Sequence, residues 1–580
     1  MCGIAGVVGA EGVTTQHVDK MIAKIGYRGV DEQGVQDVHG AIIGHARLAV
    51  VDPANGMQPM SNHDNTIWVT FNGEIYNYVE LREELKSKGY VFKSRCDTEV
   101  LVHLWQEEGE AMLDRLIGMF CFFVWDQKTG KGMLARDRQG IKPCYLADYK
   151  GGIAFCSEIK GILELPDFPR MIDQNTLLQV FAFNYPPPPA TCFKNVRHLQ
   201  PGTYLRFERN KIPTTHTYWC WPLLEDRSEP SYEEFGALLD DAIRLQMRFD
   251  VPGGMFLSGG VDSSVIAHHL VKQWIEPVLH GTSLDFKTDG FSELSRAQSV
   301  ADQNGIVMHP FEVDPQLIPE IASSVVFHAD QPHGDFSFYL FYLLGQAAHK
   351  ENKIVMFNGD GPDEALLGFG QNERYFSGLG RMNFSARSYF DTICYMNEGM
   401  RGKLLTRDFT KNTEEPLDKF LSVIQPWESL DPVEQVSAYE LTSLMPGNNL
   451  IKGDRMGAAS SIEGRAPFLD HRISELFARL PLSAKFKDGV GKYYLKKYAA
   501  RHYSEESIFR PKSMPTMPIG EWVKTTLYDW AHDIMSGPQD GIFQRDAILQ
   551  MLKDHQKGYR NHTQQIRTII MTKLWMKEFF

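Results

Sequence analysis

The sequence predicts two units in series: an α+β layered unit of mostly antiparallel strands over residues 1–215, then an α/β unit over 216–580 that is built on a parallel sheet and closes in a mostly helical part. Three observations carry this. About the first 210 residues are dense in short β-type runs broken by turn signals. From Tyr232 strand-like and helix-like segments alternate, which is the pattern of βαβ units. Beyond Phe369 the chain reads as mostly helical to its end at KLWMKEFF.

In the first unit AIIGHARLAVVD, TIWVTFNGEIYNY, MFCFFVWDQKTGKGMLARDR, GGIAFCSEI and GTYLRF read as strands. Between them NYVELREELKSKG and DTEVLVHLWQEEG carry apolar residues at helical spacing. Tyr185 to Pro189, YPPPP, fits neither helix nor central strand and predicts a rigid extended connection. The boundary falls near residues 215 to 230. The second unit then runs helix SYEEFGALLDDAIRLQMRF, strand GGMFLSGG, helix VDSSVIAHHLVKQW, strand PVLHGTSLDF, helix ELSRAQSVADQNG, strand VMHPFEV and strand KIVMFNGDGPDEAL.

At about 150 residues per domain, 580 residues leave room for about two to four cores. Apolar residues at 43% and charged residues at 23% lie far from the composition of disordered chains. With 60 Lys and Arg against 73 Asp and Glu the net charge is −13, which supplies no field to hold a polyanion. Nucleic acid and membrane are therefore excluded as main partners. No window reaches the ~18 consecutive apolar residues of a membrane span. MCGIAGVVGAEGV lacks a cationic region ahead of its apolar run and carries Glu11 after it, so it does not read as a secretory signal, and a cytoplasmic location is expected. The eight cysteines are too sparse for a disulfide scaffold and form no CxxC pair. Most of them predict buried thiols; Cys2 stands apart.

Removal of Met1 would give Cys2 a free α-amino group of ordinary pKa near ~8. Such an amine can serve as general base for its own thiol, an arrangement suited to acyl transfer. In the second half Leu257-Ser258-Gly259-Gly260-Val261-Asp262-Ser263-Ser264 lies between a strand and a helix, where glycines let backbone approach phosphate and the helix N-terminus supplies unpaired N–H groups. The lysine of a Walker A loop is missing, which disfavours γ-phosphate transfer. A second loop, Asn358-Gly359-Asp360-Gly361-Pro362-Asp363-Glu364, follows an apolar strand and predicts a place at the same carboxyl edge of the sheet. Asp262 and Asp363 could together hold Mg²⁺ on a pyrophosphate, since hard cations want carboxylate oxygens.

These residues carry a resemblance. Met1-Cys2-Gly3-Ile4, Arg28-Gly29 with Asp31, Arg47-Leu48, Phe71-Asn72-Gly73-Glu74-Ile75-Tyr76-Asn77, Cys96-Asp97-Thr98-Glu99 and Arg136-Asp137-Arg138 resemble, in order, the glutaminase domain of class II glutamine amidotransferases. The SGGxDS loop resembles that of the N-type ATP pyrophosphatases. Lys452, Asp454-Arg455-Met456, Glu463 to His471 and Lys492 follow the segment order of glutamine-hydrolysing asparagine synthetases. The resemblance spans nearly the whole chain, except the motif-free stretch from about Gly370 to Gln435.

The resemblance implies an Ntn-hydrolase αββα sandwich followed by an ATP-pyrophosphatase-type amide ligase domain. It implies that Cys2 attacks glutamine, that the Asn72 side chain and Gly73 N–H hold the oxyanion, and that Arg47, Glu74 and Asp97 complete the glutamine site, with Arg47 on the α-carboxylate and Asp97 on the α-ammonium. Each also has a plain structural reading: Arg47 a surface ion pair, Asp97 a helix N-cap, Asn72-Gly73 an ordinary turn. In the second half the resemblance assigns ATP to Leu257–Ser263, Gly359 and Lys492, adenine to Gly281–Leu284 with Ser283, and charge neutralisation of departing pyrophosphate to Lys492. The implied substrates are glutamine, ATP with Mg²⁺, and an acceptor carboxylate such as aspartate; ammonia crosses an internal apolar passage whose residues are not legible, and a homodimer is common in the family.

Departures from the family pattern cluster. Val30 replaces a proline. In the second loop NGDGPDE stands where SGEG(A/S)DE is usual, so Asp360 takes the place of a glutamate at the reacting centre, and a displacement of about 1.5 Å there can cost on the order of 100-fold. Ala466 replaces a valine and Gly464 an alanine, which predicts lost bulk near the acceptor pocket. Both a retained aspartate acceptor and a larger carboxylate follow from these changes. A β-lactam-synthetase-like cyclase with a relic glutaminase half is a further alternative, opposed by the intact Cys2, Arg47, Asn72, Gly73 and Asp97.

Overall fold

The computed structural model describes residues 1–222, 227–288, 290–379, 383–510 and 517–580. Of the segment expected to hold the boundary, residues 223–226 lie outside these. Two six-stranded antiparallel sheets form the N-terminal half. One runs in the order Val196–His198, Tyr145–Tyr149, Gly152–Cys156, Gly3–Val8, Ala41–Arg47, Glu32–Asp37. The other runs Thr214–Thr217, Thr203–Glu208, Lys131–Arg136, Gly118–Asp126, Ile67–Ile75, Met60–Ser61.

Strand alternation sorts the side chains between layers. Cys121, Phe123 and Trp125 of Gly118–Asp126 meet Ile4, Ile43 and Phe155 of the facing sheet. Phe120, Phe122 and Val124 of the same strand turn outward onto Leu85, Val100 and Leu104 of helices Tyr78–Ser87 and Thr98–Glu108. Helix Thr15–Lys24 covers the other sheet with Val18, Met21 and Ile22. The result is the expected αββα sandwich.

The C-terminal half is built on a five-stranded parallel sheet in the order Val307–Glu312, His280–Asp285, Gly253–Phe256, Val355–Phe357, Glu463–Arg465. Helix Tyr232–Gln246 leads into it, its first turn capped by Ser231, whose hydroxyl accepts from the Glu234 N–H at 3.0 Å. Phe235, Leu239 and Ile243 of that helix share a core with Met255, Leu257, Val355 and Phe357. The chain steps to one side of Gly253–Phe256 for its next two strands and to the other for the last two. That reversal opens a crevice at the carboxyl ends of Gly253–Phe256 and Val355–Phe357, where ligands of open α/β sheets bind.

Helices complete the molecule. A ten-residue π-helix, Glu440–Asn449, runs directly into helix Leu450–Ala458; wide turns of this kind recur at functional sites. The YPPPP segment lies outside helix and strand, as predicted, and docks on the π-helix: the Tyr185 hydroxyl is 3.0 Å from those of Tyr439 and Ser443. The motif-free stretch forms helices, among them Ala386–Ile393, Glu398–Leu404 and Pro416–Ile424. Among the described residues no helix is long and apolar enough to cross a membrane.

Candidate active sites

Cys2 immediately precedes the strand Gly3–Val8, central in its sheet, with its thiol 3.6 Å from the Leu48 carbonyl and its own carbonyl accepting from Arg28 Nε at 2.8 Å. Burial pushes the thiol up to about 11, so a base is required for it to react at neutral pH. The chain's amine, on Met1, is held down to about 6, chiefly by burial, and is a free base there. Strand Ile67–Ile75 of the other sheet is tied alongside: the Thr70 hydroxyl donates to the Gly44 carbonyl at 3.0 Å, and a His45 ring nitrogen lies 2.9 Å from the Phe71 carbonyl.

That strand brings Asn72 and Gly73 into the site. They form no turn: both lie within a ladder, Asn72 opposite Cys121 and Gly73 opposite Phe120. Both polar atoms of the buried Asn72 side chain lack a hydrogen-bond partner among the described residues, which is costly unless a ligand supplies one. Gly73 has φ +147°, and a Cβ there would stand 2.0 Å from the Met119 carbonyl oxygen. Only glycine fits. Asp97 precedes helix Thr98–Glu108 without capping it; its carboxylate accepts from the Ile75 N–H at 2.8 Å. Burial raises Asp97 to about 6 and pushes Glu74 well above its usual range. Arg47 is buried, pairs with Glu32 at 3.0 Å and donates to the carbonyls of Val51, Asp52 and Pro53, so it shapes the loop beside the thiol.

The second site is a cavity of about 530 Å³ at the crevice of the parallel sheet. Its wall includes Leu257, Ser258 and Gly260–Ser263 of the first loop, Ser283, Asn358–Asp360 and Asp363 of the second, and Lys492. Gly259 turns the loop with φ +70°, where a Cβ would meet the backbone of Arg296 and Ala297 within 2.7 Å. Lys492, only 2% exposed, lies in the left-handed region at the start of helix Tyr493–Ala499. Its Nζ reaches Asp262 at 2.5 Å and Asp363 at 2.8 Å. Burial works against the ammonium, but the two carboxylates outweigh it and hold Lys492 charged. Lys452 on helix Leu450–Ala458 also lines the wall, paired with Asp335 at 3.2 Å.

Two family models match the chain: a glutamine amidotransferase domain over residues 1–219 and asparagine synthase over residues 234–577. Asparagine synthetase [glutamine-hydrolyzing] 1 of Bacillus subtilis is 31% identical over 99% of this chain and 96% of its own length. The chain belongs to the glutamine-hydrolysing asparagine synthetase family. A putative asparagine synthetase [glutamine-hydrolyzing] of Mycobacterium tuberculosis is 30% identical, covering 99% of this chain and 97% of that one. Amidase chyE of Penicillium rubens is 24% identical over 93% of this chain and 89% of that one. ATP is a substrate in this family.

Among the described residues no three His, Cys, Asp or Glu side chains are placed to hold a metal. Asp262 and Asp363 nonetheless converge on one point, now bridged by Lys492, and two carboxylates with phosphate oxygens are a common donor set for Mg²⁺. Gly464, in the edge strand Glu463–Arg465 paired to Val355–Phe357, lies beside the second loop: a Cβ there would meet the Asn358 amide nitrogen at 3.6 Å, and Asn358 lines the cavity. Val30 is 62% exposed at the surface. Motifs also missed Asp335, Asn448, Asn449 and Arg567 of the cavity wall: Asp335 lies in the loop ahead of helix Ser337–Lys350, Asn448 and Asn449 close the π-helix and Arg567 sits on the last helix, so the wall gathers them from separate segments that share no short pattern.

Burial raises Asp360 to about 6, with Asp363 and Asp262 adding and Lys452 opposing. The folded chain therefore keeps a proton on Asp360 that an unfolded chain, with an ordinary carboxyl, has already released near pH ~4. Its contribution to stability is present below about pH 4 and is lost as pH rises through about 6. Asp360→Asn is expected to exceed the wild-type protein in unfolding free energy at pH 8 by on the order of 1–2 kcal/mol, with the difference vanishing near pH 4. Calorimetry across that range checks it; equal melting at pH 8 refutes it.

Proposed function

We propose that this protein is a glutamine-dependent, ATP-consuming amide ligase divided at about residue 215, with a glutaminase site at Cys2 and an acyl-adenylate site in the cavity. The observation that carries the reading is the buried Lys492 clamped by Asp262 and Asp363 at the mouth of a glycine loop that lacks a Walker lysine. Such a site suits departure of pyrophosphate and not γ-phosphate transfer.

With Met1 removed, the Cys2 amine takes the thiol proton and sulfur attacks the side-chain carbonyl of glutamine. Asn72 and the Gly73 N–H hold the oxyanion; the C–N bond breaks, ammonia leaves with the proton, and water hydrolyses the thioester to glutamate. In the cavity an acceptor carboxylate oxygen attacks the α-phosphorus of ATP. The α–β bond breaks, and Lys492 meets the charge on pyrophosphate. Ammonia then adds to the acyl carbon, the C–O bond to AMP breaks, and an amide forms. Asp262 and Asp363 would hold Mg²⁺, which supplies charge neutralisation on the polyphosphate. The family suggests aspartate as acceptor.

The test is pyrophosphate release from ATP and Mg²⁺ with glutamine and a panel of carboxylates, with AMP and amide as products. Lys492→Ala is expected to lower the acceptor-dependent rate by about 10²- to 10³-fold, the cost of removing one preorganised charge from a transition state. Full activity in that variant would remove Lys492 from the chemistry.

A further inference from the structure

Part of the cavity wall is built by neither glycine loop. It comes from Phe183 and Tyr185 ahead of the proline run, from Ile393 and Tyr395 in the stretch without motifs, and from Arg567 on the last helix, Thr563–Phe579. Most of this surface is apolar. Asn184, Gln371 and Gln564 add polar groups, and the charged Arg567 among them is incompletely satisfied. One terminal nitrogen donates to Gln564 of its own helix, while Nε is buried without a hydrogen-bond partner among the described residues. Asp335 and Tyr395 act on it electrostatically. Asp335 is committed elsewhere, to Lys452 at 3.2 Å and to the Asn448 amide at 2.9 Å. Burial consequently lowers the Arg567 guanidinium below its usual range.

A guanidinium whose counter-charge, Asp335, is shared with Lys452 and whose Nε has no hydrogen-bond partner among the described residues can take a second carboxylate, the group its planar fork fits best. The nucleotide does not supply it, because the loop side has its own cation in Lys492 and its own helix N-terminus at Val261. We propose that the acceptor is a dicarboxylic acid larger than aspartate: one carboxylate is activated beside Asp360 and Lys452, the other is held by Arg567, and an aromatic or branched body covers Tyr185, Ile393 and Leu444. Aspartate has too little apolar surface to cover that wall. The inference rests on the ligase reading above.

The experiment measures acceptor-dependent pyrophosphate release with ammonium as nitrogen donor, comparing aspartate, phenylsuccinate and the monoacid 3-phenylpropionate. Phenylsuccinate is expected to show the lowest KM. Arg567→Gln is expected to raise its KM by about 10- to 100-fold relative to any change for 3-phenylpropionate, with kcat little altered, and Arg567→Lys to recover part of the loss. Preference of the wild-type protein for aspartate, or equal losses for monoacid and diacid in Arg567→Gln, overturns the inference and leaves the ligase reading standing. Absence of pyrophosphate with every acid overturns both.

Discussion

Cys2→Ala is expected to abolish glutamine-supported amide formation, by about a thousandfold or more, while ammonium-supported formation persists. The asymmetry follows from the layout. Cys2 sits in the antiparallel sandwich, with the Leu48 carbonyl and Glu74 acting on its thiol, whereas Asp262, Asp360, Lys452 and Lys492 all line the cavity of the parallel sheet. Removing one sulfur takes nothing from the second site. Ammonium activity should rise toward alkaline pH as more free ammonia becomes available. Measuring product with each nitrogen source, in both proteins and at two pH values, decides the matter; equal loss with glutamine and ammonium would place Cys2 in the wrong site.

The second large effect lies between the halves. Glu158 is fully buried and meets four groups: Arg28 at 2.6 Å, Arg455 at 2.7 Å, the Lys160 ammonium and the Tyr27 hydroxyl. Arg28 continues to Asp454 at 2.8 Å, while Lys160 and Arg455 reach Asp330 at 2.9 Å and 3.2 Å. The Arg455 nitrogens approach both carboxylates without good hydrogen-bond geometry, so attraction of charge holds them. Glu158→Gln leaves three cations short of one counter-charge in a dry interface, and a loss of about 3–5 kcal/mol in unfolding free energy is expected. Adding Arg455→Met restores the balance and is expected to recover part of that loss, which a double-mutant cycle reads directly. A loss below about 1 kcal/mol for the single variant refutes the account.

Much of the architecture was legible because it is written locally. Alternation in MFCFFVWD fixes which residues face which layer, and the strand–helix rhythm after Tyr232 yields the parallel sheet and its crevice. The two glycine loops were legible as well, since each follows its own strand. Lys492 is different: its partners Asp262 and Asp363 lie far away in the chain, and only the fold turns an apparent surface lysine into a buried clamp. The same holds for Arg28 and Asp454, separated by 426 positions. The stretch from Gly370 to Gln435 carries no motif because it supplies shape, in Ile393 and Tyr395, and shape leaves no short signature.

The shared charges also bear on how such chains can be recombined. Residues 1–219 look like a cartridge, yet within them Arg28 and Lys160 share the single carboxylate of Glu158, and the rest of their counter-charge comes from Asp454 and Asp330 of the other half, whose Arg455 returns to Glu158. Grafted onto a foreign synthetase, the cartridge would carry two buried cations against one carboxylate. Chimaeras that transplant those six residues as a group are the ones to build, and shuffling by natural exchange would favour inheritance of both halves as a single block.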